Sequence, residues 1–109
     1  MRALRALAAA AHEEELRRAL VPLQAAFDRW KRGELSSAEL SDAIHQFHQG
    51  PAREVFDRYN SGVLEAAVAQ AIVSGFIDRS GVAPEVLSHL ARAIAFYESQ
   101  RETSQPHRR

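Results

Sequence analysis

From Trp30 to Tyr59 the chain holds a helix stop, a capped helix start, a second stop and a third helix start within thirty residues. Gly33 follows Lys31 and Arg32, and a glycine after a basic last turn ends a helix well. Ser36-Ser37-Ala38-Glu39 reads as a capping box: the serine hydroxyl accepts from the backbone three residues on, and the glutamate reaches back. Gly50 stops that helix, and Pro51 opens the next, at a position whose N–H would be unpaired anyway. A helix–turn–helix over 36–60 is therefore expected. Local punctuation this dense leaves little room for any fold other than an all-helical one.

The rest of the chain agrees. Residues 2–20 contain neither Gly nor Pro and are dominated by Ala, Leu, Glu and Arg, all strong helix formers. Pro22 removes a hydrogen bond and crowds the preceding turn. The apolar stripe Leu16, Leu20, Leu23, Phe27 and Trp30 nevertheless continues across it. The expectation is one long, Pro-kinked N-terminal helix. Asn60-Ser61-Gly62 is turn chemistry. Residues 63–78 are apolar on both sides, which predicts a central helix with Gly75 on its close-packing face. Ser80-Gly81 and Pro84 separate it from a last helix with Val86, Leu90 and Ile94 inward. No alternating β-branched run predicts a strand. The expected fold is all-α: a small single domain, residues 1–100, bundling four or five helices. Residues 1–15 are a candidate projecting arm, and 101–109 are expected to be a disordered polar tail.

Composition excludes several function classes. The 109 residues carry no net charge, which argues against a nucleic-acid or anionic-membrane binder. No cysteine is present, so disulfides, thiolate catalysis and iron–sulfur ligation are out. No apolar run reaches the length of a membrane span. The first twelve residues faintly resemble a signal peptide, but Arg5 interrupts their apolar run. The absence of cysteine fits a cytoplasmic setting, and arginine at every basic position but Lys31, with many alanines, suggests a bacterial GC-rich coding sequence.

Chemistry-bearing residues are few. Asp42, His45 and His48 recur every third residue on one side of the 36–49 helix and are of ligand type for a divalent metal. That spacing rotates them apart, so a site needs help from elsewhere, such as Glu54, Asp57 or His89. Histidines there also serve as plain helix-end partners or as acid–base groups. Arg53, near a helix start, is a candidate anion clamp. No catalytic triad, P-loop or metalloprotease motif occurs, and no cofactor is implied. Leu4 and Leu7 lie off the main stripe and Phe96 off the last one, which makes them candidate interface residues. Arg53, Arg58 and Asn60 on the second helix of the 36–60 pair give the outline of a DNA-binding helix–turn–helix, but Glu54 and Asp57 share that helix. The sequence therefore favours a non-enzymatic helical protein that associates with a protein partner or with itself as a homodimer. A metal- or histidine-dependent site and DNA binding stand as alternatives.

Overall fold

The computed structural model describes residues 2–60 and 62–104, with side chains through Glu102. Six α-helices follow in order: α1 (Arg2–Lys31), α2 (Ser37–Gln49), α3 (Pro51–Asn60), α4 (Leu64–Ser74), α5 (Pro84–His89) and α6 (Ala91–Ser104), with a 3-10 turn at Arg79–Gly81. No strand occurs among the described residues, and the fold class is all-α as expected. None of these helices is long and apolar enough to cross a membrane. The chain groups into two compact units, residues 12–61 and residues 62–109 together with 1–11.

In the 12–61 unit, α1 runs unbroken through Pro22. It ends where Gly33 takes the left-handed conformation (φ 78°). The Gly33 and Glu34 N–H groups then donate to Trp30 and Arg29 carbonyls at 3.0 and 2.9 Å, the two bonds of a Schellman stop. The capping box forms as read: Glu39 N–H donates to Ser36 Oγ at 3.0 Å, and Ser36 N–H to Glu39 Oε1 at 2.9 Å. Gly50 alone separates α2 from α3. A Cβ there would sit 3.1 Å from the Gln46 carbonyl, so the tight reversal favours glycine.

The second unit holds most of the core. Leu4, Val68 and Leu90 are its most completely buried large side chains, and α4 and α5 both pack on α6. Of the start of α1, Leu4, Ala8 and Ala11 belong here and are buried at i, i+4, i+7 spacing. Two helix boundaries differ from expectation. The 63–78 segment is helical only to Ser74. Gly75 is not an interior packing residue but a left-handed stop (φ 86°), with Phe76 N–H on Ala71 O at 2.9 Å. Ile77 is buried outside the helix, and Asp78 accepts from Ser80 N–H at 3.1 Å to start the 3-10 turn. The helix from Pro84 divides at Leu90, whose ψ is 4°. No Gly or Pro marks that bend. Leu90 is 1% exposed there, between buried Val86 and Ile94. This division splits the single last helix that the sequence suggested. Helix α6 extends to Ser104, into the expected tail, whose last five residues lie outside the described residues.

Candidate functional site: an open apolar face on the 12–61 unit

The two units differ sharply in how well they bury what they contain. Of fifteen buried apolar side chains among the described residues, only Leu40 and Val55 belong to the 12–61 unit. That unit also holds most of the large apolar side chains left exposed: Leu20, Val21, Phe27, Trp30, Ile44 and Phe56. An apolar stripe such as Leu16–Trp30 ordinarily faces a core. Instead Leu16 and Leu23 are half-buried and Leu20, Phe27 and Trp30 are about 40% exposed. A unit of some fifty residues with so small a core is marginal by itself.

Polar contacts join α1 to α2 and α3 at the two ends of this face. At the hairpin end, Trp30 Nε1 donates to Ser37 Oγ at 3.0 Å, and Phe27 meets the Trp30 ring edge-on with centroids 6.4 Å apart. At the other end, Glu15 on α1 accepts from Arg58 and, at 3.0 Å, from the Tyr59 hydroxyl on α3. His12 stacks on Tyr59, rings 5.2 Å apart and 10° from parallel. Burial pushes the Tyr59 hydroxyl above its ordinary pKa, against the opposing pull of the Arg58 charge. Between these ties lies a cleft of about 310 Å³, lined by Ala19, Pro22, Leu23 and Ala26 of α1, and by Ala43, Gln46, Phe47 and Pro51. Its walls are mostly apolar, and three alanines among them leave room for an incoming side chain. Nothing in it is a nucleophile, an acid or a base.

The residues singled out from sequence are placed as follows. Asp42, His45 and His48 are all exposed on α2. Among the described residues no three His, Asp or Glu side chains come together closely enough to hold a metal ion. The helpers do not arrive: His89 lies instead 3.7 Å from Glu65, in the other unit. Arg53 is exposed one turn into α3. Leu4 is already 1% exposed within the chain and offers no surface to a partner, and Leu7 is half-buried. Phe96 is 55% exposed, edge-on to Tyr97 with centroids 5.0 Å apart. The outline of a DNA-reading helix weakens on inspection. Arg58 is committed to Glu15, and Asn60 Nδ2 donates to the Phe56 carbonyl at 2.8 Å. One residue joins the helices where DNA-binding turns use three or four.

Sequence reasoning missed the His12–Glu15–Arg58–Tyr59 cluster. Its contacting pairs are 43 to 47 residues apart, so no local pattern announces it. No protein-family model matches this chain, and no curated protein and no solved structure is significantly similar to it.

Proposed function

We propose that this protein acts by protein–protein association, without catalysis of its own, through the apolar surface of the 12–61 unit. One observation carries the reading: among the described residues, six of the eight large apolar side chains left exposed sit on the unit with the smaller core. Covering a side chain that is already 60% buried contributes about 1 kcal/mol, so several together supply the free energy of a specific contact. The mainly apolar lining of the cleft supports docking over chemistry, and the absence of cysteine agrees with a cytoplasmic setting.

The test isolates the protein from its source cells under native conditions and reads its mass by native mass spectrometry, beside a Leu20→Asp, Phe27→Asp double variant. Both positions are about 40% exposed, so helicity by circular dichroism should be unchanged. Wild type should run above the monomer mass, as a self-assembly or with a companion, and the variant as the monomer alone. A wild type that is monomeric and unaccompanied, or a variant that keeps every companion, would overturn the reading.

A further inference from the structure

We infer that α2 and α3 form a flap that opens from α1 as one body, with Glu15 as its latch. The flap is a property of the chain alone and holds whatever covers the apolar face. Among the described residues, α2 packs closely on α3, and neither comes as close to α1. Where the pair meets α1, the joint is not filled. The cleft of about 310 Å³ lies there, with Ala19, Leu23 and Ala26 on one wall and Ala43, Phe47 and Pro51 on the other. Protein interiors ordinarily close-pack, and a gap of this size forfeits the dispersion contacts that would hold two surfaces together. Leu40 and Val55 are the only buried apolar side chains that the described residues of the pair contribute.

What joins the pair to α1 is polar and sits at the ends. The Trp30–Ser37 hydrogen bond is exposed, and an exposed bond exchanges readily with water for little net gain. The tie at the end of α3 is of another kind. The Glu15 side chain is 12% exposed and accepts from both Arg58 and Tyr59, and His12 stacks on the Tyr59 ring. A hydrogen bond between a charged donor and a carboxylate is the stronger sort, so Glu15 holds the last turn of α3. The chain can turn at both ends of the pair. Residues 32–36 lie outside the helices and include Gly33 in the left-handed conformation, and Gly62 and Val63 precede α4. Released from α1, helices of 13 and 10 residues are too short to be stable in water, so opening frees their amides together. It also lays bare both apolar walls of the cleft, and the latch thereby sets how much apolar surface the 12–61 unit offers.

Hydrogen exchange read by mass spectrometry on the intact chain, across a urea series, tests this. Amides of α2 and α3 should exchange through one opening, faster and with a shallower urea dependence than those of α4 and α6, because a partial opening exposes less surface than global unfolding. Tyr59→Phe, which removes one hydrogen bond of the latch, should speed exchange about fivefold in α2 as much as in α3. Ile72→Val trims the core of the other unit, where Ile72 is 5% exposed. It should speed exchange in α4 and α6 about fivefold and leave α2 and α3 unchanged, since the open flap keeps that core intact. An Ile72→Val effect shared equally by all four helices would make the chain one cooperative unit and overturn the flap. A Tyr59→Phe effect confined to the end of α3, with α2 unmoved, would reduce the latch to local fraying and overturn it equally.

Discussion

Gly75 shows how much one residue decides here. Its left-handed backbone ends α4, and nothing lies within 4 Å of where a Cβ would be. Gly75→Ala should therefore act through backbone strain alone, costing roughly 1–2 kcal/mol, read as a lower denaturant midpoint with an unchanged slope. A smaller effect than that of Gly81→Ala, where no positive φ is involved, would contradict the assignment. Tyr59→Phe removes the hydroxyl that donates to Glu15 and should cost about 1 kcal/mol, measured the same way. Glu14 sets an acid dependence. Hydrogen bonds from Arg17 and Arg18 hold its carboxyl at about 2, below a usual 4.5. A depressed folded-state value means the contribution is present above about 4.5 and lost as pH falls towards 2. Helicity of wild type should therefore decline more across that window than helicity of Glu14→Gln. Gly33 and Ser36 were legible in sequence because a cap is settled by neighbours within four residues. Gly75 was misread because a small residue on an apolar face and a helix stop look alike until the chain's direction is known.

At the scale of elements, α1 is the informative one. It continues through Pro22 although a mid-helix proline costs about 3 kcal/mol. Pro22→Ala should raise stability by roughly 1–3 kcal/mol and increase helical circular dichroism. A loss of stability would mean that Pro22, which lines the cleft, packs more importantly than its backbone penalty. The sequence showed the period of the Leu16–Trp30 stripe correctly but not its exposure, because periodicity tells which side of a helix is apolar and not what covers it. The bend at Leu90 was invisible for a related reason. Hydrogen bonds run into and out of Leu90, its N–H to Val86 O at 3.0 Å and Ile94 N–H to its carbonyl at 2.9 Å, and no Gly, Pro or capping side chain signals the change in its ψ.

At the scale of the whole molecule, helix class, element order and nearly every boundary up to α4 followed from capping, glycine and proline signals. The division into two units did not, since it depends on which apolar faces find one another. One unit has a real core. The other keeps an apolar face exposed, with polar ties at either end. That imbalance is what the proposed association rests on. Trp30 is the only tryptophan, sits on this face beside Phe27 and is 39% exposed, so its fluorescence reports on whether the face is covered. The most direct measurement is acrylamide quenching of Trp30 across a concentration series, and again after adding source-cell extract depleted of tryptophan signal. Emission that moves to the blue with quenching that falls, and neither change in the Leu20→Asp, Phe27→Asp variant, is the expected result. Emission and quenching that stay constant under both conditions would contradict association through this face.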